Sequence, residues 1–264
     1  MRHYAHMFSL TMLLVGVGLS AGVLAGLFGI GGGLIIVPAV TFVLISQGVS
    51  ADVAVPTAVA TSLGSMLLTS ARAVWSHHRR IGFDQTTVRA LAPGMLAGAA
   101  AGVWLTNHLP VIWVSGVFAG LVTLIGLRMI GAHTLSAPTR GARPRGAIAA
   151  TALMGSASAM VGIGGGSLLV PYLIWNGYAS VQAVAVASAM GWLLALMGVL
   201  AFVVIEPSAV QLGPIVWVGL AGAITAPIGV ALAHRLSSTR LRRLFGLVLL
   251  VVAFGMLWQI HTAP

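Results

Sequence analysis

The chain has 264 residues, of which 59% are hydrophobic and 6% charged, and its mean hydropathy is +1.06. A soluble domain carries about a quarter of its residues as charges to keep its surface wet, so a soluble fold is excluded and the bilayer is the solvent. There is no cysteine, which removes disulfides, thiolate metal sites and cysteine nucleophiles. The net charge of +10 comes from 13 arginines and no lysine, against only Asp52, Asp84 and Glu206.

Taken in chain order, the first apolar segment is Phe8–Phe28. Behind Arg2 it has the outline of a signal peptide, but it is longer than a signal core and its glycines recur later, so it reads as a retained helix. Leu34–Ser46 follows after a glycine cluster. Val53–Trp75, Val88–Thr106 and Val111–Ile130 are each long and apolar enough to span about 30 Å of hydrocarbon. Ala132–Gly146 is rich in Arg, Pro, Ser and Gly and reads as a linker. Ala147–Val161 and Ser167–Trp175 are short and again divided by glycines. Val181–Ile205, Leu212–Ala233 and Leu241–Ile260 are the last three spans.

The second half repeats the first. Gly29-Ile30-Gly31-Gly32-Gly33 returns as Gly162-Ile163-Gly164-Gly165-Gly166, and Pro38 and Pro171 follow at the same distance. Ala58-Val59-Ala60-Thr61-Ser62 aligns with Ala185-Val186-Ala187-Ser188-Ala189, and Gly102 and Phe118 with Gly229 and Phe245. The expected organisation is therefore a first transmembrane repeat over 1–131, a basic cytoplasmic linker over 132–146 and a second repeat over 147–264, with five apolar segments in each repeat.

Most of the arginines sit in short connections. His77-His78-Arg79-Arg80, then Arg140, Arg143 and Arg145, then His234, Arg235, Arg240, Arg242 and Arg243 should all be cytoplasmic. Five segments per half satisfy all three at once, place Asn107–Pro110, Glu206 and both termini outside, and turn the second half upside down. The fold class expected is an all-α polytopic membrane protein of two inverted repeats, whose glycine-split pairs are either short helices or re-entrant hairpins. A nucleic-acid binder would gather its basic residues on one soluble face with aromatics between them; scattered in loops they argue against that partner. The partners expected are a small anionic solute and the lipid bilayer, and a homo-oligomer is compatible with the sequence.

The glycine clusters carry the functional reading. Consecutive glycines break a helix, and broken backbone in a membrane is tolerated only where protein buries it or a polar cavity solvates it. The helices expected to restart at Leu34 and Ser167 present unpaired N–H groups and a positive dipole end, a backbone anion site. The candidate substrate-binding residues are Gly29, Gly31, Gly32, Gly33, Gly162, Gly164, Gly165 and Gly166, with Ser167 as a helix cap whose hydroxyl faces the ligand. Thr57, Thr61, Ser62 and Ser188 join them from the third segments, Thr57 and Thr61 one turn apart on one face. Against this stands a plain packing role for the glycines and self-bonding for hydroxyls such as Ser65, Thr69 and Ser70. Pro38 and Pro171 read as helix-shaping. Arg72 and Arg128 read as snorkelling to the interface, and Asp52 as a charge at a helix N-terminus. No carboxylate pair, GxSxG, HExxH or phosphate loop occurs, and the histidines lack metal-ligand spacing, so no enzyme, metal or cofactor is expected.

The pattern G-x-G-G-G-x-x-x-x-P over Gly29–Pro38 and again over Gly162–Pro171 resembles the sulfite exporter TauE/SafE family of membrane permeases, and the similarity covers nearly the whole chain. The resemblance implies a permease of the bacterial inner membrane type that moves small sulfur-containing anions such as sulfite or organosulfonates. The residues alone say only that an anion would find a site at helix N-termini. Ser188 standing where the first half has Thr61 makes the two half-sites unequal. A channel or structural subunit, with glycines serving only packing, is the alternative.

Overall fold

The computed structural model describes residues 11–23, 32–80, 84–131, 147–178, 180–233, 246–256 and 258. These form ten α-helices, five in each half: α1 (Thr11–Val23), α2 (Gly33–Ser46), α3 (Ala51–Arg80), α4 (Gln85–His108), α5 (Val111–Gly131), α6 (Ala147–Met160), α7 (Gly166–Trp175), α8 (Ser180–Ile205), α9 (Leu212–Ala233) and α10 (Gly246–Met256). No strand occurs among the described residues. The protein is an all-α polytopic membrane protein. Stretches of α3, α4 and α8 pass as spans on length and composition. At 1.5 Å per residue, the 21 residues of α5 and the 22 of α9 also reach about 30 Å.

The outside of the bundle is apolar. Leu153, Val204, Leu212, Ile224 and Val251 are all more than two-thirds exposed, which is stable only against lipid tails. Exposed Trp104, Trp113 and Trp217 lie near the end of α4 and the starts of α5 and α9. These three termini fall at one end of the bundle, so the indoles form part of an interfacial belt there.

Helix directions follow from which residues touch. The start of α3 at Asp52, the end of α4 at His108, the start of α5 at Val111 and the end of α8 at Glu206 border one cleft. Thus α3 and α8, third in their respective halves, run in opposite directions. Gly64 faces Ile215, and Gly219 faces Ser65 and Leu68, so α9 runs parallel to α3 and opposite to α4, its counterpart. Gly94, Gly98 and Gly102 face Ile148, Ala152 and Ser156 in turn, so α6 runs with α4. Gly18 and Gly22 face Val218 and Gly222, so α1 runs with α9. Each half's first helix therefore packs on the other half's fourth. Gly126 meets Gly246 where α5 ends and α10 begins.

These crossings are close because side chains are absent. A Cβ on Gly94, Gly98 or Gly102 would overlap the carbonyl oxygen of Ile148, Ala152 or Ser156. The spacing of four on both helices lets the backbones touch along a whole face, the small-residue packing that holds helices together where lipid gives no hydrophobic drive. Thr106 Oγ1 adds a bond to Met160 O (3.1 Å), and Thr225 Oγ1 one to Leu19 O (2.8 Å), on the two equivalent seams.

The short helices end alike. Gly48 (φ 84°) and Gly177 (φ 87°) sit just past α2 and α7 in left-handed conformation. Val49 N bonds Leu44 O, and Tyr178 N bonds Leu173 O, while each glycine N–H bonds three residues back. That is a Schellman ending in both halves. α2 has 14 residues and α7 has 10, so the second half has lost about one helical turn there and kept its stop signal.

Candidate functional site

Of the first glycine cluster, Gly32 and Gly33 are described; Gly29 and Gly31 lie outside the described residues. The second cluster is described throughout. Gly162 (φ 67°) ends α6: its N–H bonds Ala159 O (3.1 Å), and Ile163 N bonds Ser158 O (2.8 Å). A residue with a Cβ pays about 1–2 kcal/mol in that left-handed conformation. The turn also has no room for one, because Val37 Cγ2 would stand 2.7 Å away.

The two clusters meet. A Cβ on Gly33 would overlap Gly162 O and lie 2.9 Å from Ser62 Oγ. Ser62 Oγ donates to Gly162 O at 2.7 Å, tying α3 to the break between α6 and α7. Ser62 lies ten residues beyond Asp52, about 15 Å along α3. That is half of the roughly 30 Å hydrocarbon thickness, so the clusters meet near mid-depth.

α2 and α7 start one residue earlier than expected, at Gly33 and Gly166, with Gly32 and Gly165 as caps. The expectation that Ser167 caps α7 is corrected: it lies in the first turn, and its Oγ donates to Gly164 O (3.0 Å). A serine hydroxyl inside a turn finds the carbonyl three residues back more readily than a forward amide. Around Gly165 and Gly166 the packing is loose. Among the described residues, a Cβ on Gly165 would meet Leu194 and Met95 at ordinary distance (3.4 and 3.6 Å), and one on Gly166 would meet nothing within 4 Å. Neither glycine has positive φ, and neither N–H has a backbone acceptor among the described residues.

The hydroxyls divide. Ser188 Oγ bonds its own helix at Val184 O (2.8 Å), as Ser65 and Thr69 bond theirs. Thr61 is 0% exposed and its Oγ1 has no partner among the described residues, a cost of about 1–3 kcal/mol unless something else supplies one. Thr57 is 1% exposed, without a hydrogen bond among the described residues, and lines the cleft above. The structure thus brings Gly33, Ser62, Gly162 and Gly164–Ser167 to one junction, with Thr57 and Thr61 about two and three turns along α3 from its start. Ser188 is committed to its own helix. The side chains of Arg72, His77, His78 and Arg128 lie outside the described residues.

The sequence reading did not find the cleft itself. It has a volume of ≈ 430 Å³ and joins Asp52, Pro56 and Thr57 to Asn107–Val111 and to Glu206–Ala209. Three loops far apart in sequence make it, and only the shared end of their helices could have signalled it. Met95, which flanks Gly155 as well as Gly165, was also missed. At the other end of α4, Asp84 accepts from Thr86 N (2.9 Å), Thr87 N (3.3 Å) and Thr87 Oγ1 (2.6 Å). The Thr87 hydroxyl, with the two amides, holds its carboxyl below the usual range. Thr87 Oγ1 also lies 2.9 Å from Tyr178 Oη, which joins the halves.

An apolar bundle with a helix break at mid-depth, backbone donors there that lack backbone acceptors among the described residues and a cleft at one end is a geometry suited to a multi-pass membrane transporter. Comparison with known proteins agrees and gives the family. The chain belongs to the sulfite exporter TauE/SafE family, whose sequence profile matches residues 14–256. It is 30% identical to a probable membrane transporter protein of Haemophilus influenzae over 262 residues, 95% of this chain and 99% of that protein. It is 25% identical over 183 residues to the probable membrane transporter protein YunE of Bacillus subtilis, 62% of this chain and 67% of that protein. No solved structure matches the chain.

Proposed function

We propose that the protein carries small sulfur-containing anions, such as sulfite or organosulfonates, by alternating access between two inverted repeats, 1–131 and 147–264, joined by the basic linker 132–146. The opposed directions of α3 and α8, of α4 and α9, and of α1 and α6 support the inversion. With the arginine-rich connections cytoplasmic, the Asp52 end faces out. The anion site is the backbone at the glycine break, where amides at the start of α7 offer donors and a positive dipole end to an oxyanion.

The observation that carries this reading is Gly166. Among the described residues, no steric contact, no positive φ and no helix crossing calls for a glycine there, and glycine is a poorer helix former than alanine. Space kept free beside unpartnered amides is what a bound anion needs. The family's description as sulfite exporters supplies the solute class.

The packing alternative has its own observation, the contact of Gly33 with Gly162, which glycine serves by letting backbones touch. Flux from proteoliposomes separates the readings. A carrier gives saturable flux of at least one sulfur oxyanion, competed by its analogues and changed by imposed voltage, since moving one charge is worth about 2.3 kcal/mol per 100 mV. Non-saturating flux of unrelated ions, or none at all, would favour a channel or a structural subunit.

A further inference from the structure

Two of the chain's three acids, Asp52 and Glu206, line the same cleft. No arginine among the described residues lines it, and His108 is its one basic side chain, with Nδ1 2.8 Å from Trp104 O. Asp52 is exposed and Glu206 half-buried; Glu206 is held by Ser208 Oγ on Oε1. At the floor, Thr57 is 1% exposed and without a hydrogen-bond partner among the described residues, a polar group left for solute or its water. One turn further along α3 come Thr61 and the Ser62–Gly162 bond, so the cleft stands over the glycine junction. Among the described residues, the arginines stand away from this cleft: Arg72, Arg79 and Arg80 in the last turns of α3, Arg89 in the first turns of α4 and Arg128 in the last turn of α5. One mouth is therefore acidic in a chain of net charge +10.

We propose that Asp52 and Glu206 make this mouth a charge filter, which disfavours anions loading from the outer side and slows the return of an anion released there. The part about return rests on the anion-carrier reading; the filter itself does not. Two negative charges on the rim of a partly enclosed cleft repel an entering anion, and more strongly than in open water because the helix bundle around them has a lower dielectric. The filter changes apparent affinity at one face only. It leaves the final accumulation untouched, because concentrations and voltage set that.

The test uses the absence of cysteine. Leu109→Cys places one thiol on the cleft, and its rates with a cationic and an anionic methanethiosulfonate are compared. The cationic reagent should react faster. Replacing both acids, Asp52→Asn with Glu206→Gln, should lower the cation-to-anion rate ratio roughly tenfold at low ionic strength, and the effect should shrink in 1 M salt. In proteoliposomes the same double variant should lower the apparent KM for sulfite several-fold at the outer face and leave the inner face unchanged. An unchanged reagent ratio overturns the filter. A changed ratio with an unchanged outer KM overturns its role against return. A changed ratio in a parent protein that moves no sulfur oxyanion keeps the filter and overturns the carrier reading instead.

Discussion

The two halves share a scaffold but not its polar atoms. On α3, the stretch from Asp52 to Ser65 holds a carboxylate, Thr57 and Thr61 without hydrogen bonds among the described residues, and Ser62 bonded across to Gly162. On α8, the positions aligned with Thr57, Ser62 and Ser65 are Val184, Ala189 and Trp192, and Ser188, which matches Thr61, bonds its own helix. The glycine positions differ in the same sense. Gly33 is pressed against backbone, whereas its counterpart Gly166 has no neighbour within 4 Å of its Cβ position among the described residues. Duplication explains the shared crossings and the paired Schellman endings. The differences put the hydroxyls left without partners on α3 and the loosely packed helix start at α7.

The sharpest way to break this comparison is to add one methyl group at each equivalent glycine. Gly33→Ala should destabilise the protein by about 3 kcal/mol, because the obstruction is a backbone carbonyl that cannot swing aside. Gly166→Ala should be neutral or slightly stabilising, since alanine is the better helix former. Thermal unfolding in detergent reads both, and equal shifts would erase the distinction.

A smaller effect compares two serines. Ser62→Ala should cost about 1–2 kcal/mol by leaving the buried Gly162 carbonyl with one partner fewer, while Ser188→Ala, which removes only an i−4 bond, should cost less than about 0.5 kcal/mol. A larger loss at Ser188 would mean that it holds something across helices.

The smallest effect concerns Asp84, the exposed cap of α4. Asp84→Ala should cost about 1 kcal/mol at neutral pH. Its carboxyl pKa is depressed in the folded state, so its contribution is present above the ordinary carboxylate range and lost as pH falls through the folded value. The gap between parent and variant should therefore close on acidification; a gap that widened would contradict the capping geometry.

Much of this was legible in residues. The ten apolar segments follow from length and composition, and the end of α6 at Gly162 from the cost of consecutive glycines in a helix. What repetition could not reveal was the pairing of α4 with α6 through Gly94, Gly98 and Gly102, because small residues every four positions mark a close face without naming its partner. The cleft was hidden for a related reason. Asp52, Asn107 and Glu206 carry no shared motif and meet only because three connections end at one side of the bundle. Ser167 was misjudged as a cap because the preference for serine there is statistical, and Gly165 occupied the position.

The most direct measurement of the central claim is sulfur-oxyanion flux through Gly166→Leu in proteoliposomes, with folding checked by the same thermal transition as the parent. The account predicts an unchanged transition and flux lost at least tenfold, because the side chain enters the space left for the solute and crowds the amides of α7. Parent-like flux through a folded Gly166→Leu protein would contradict an anion site at the glycine break and leave the glycines as packing residues.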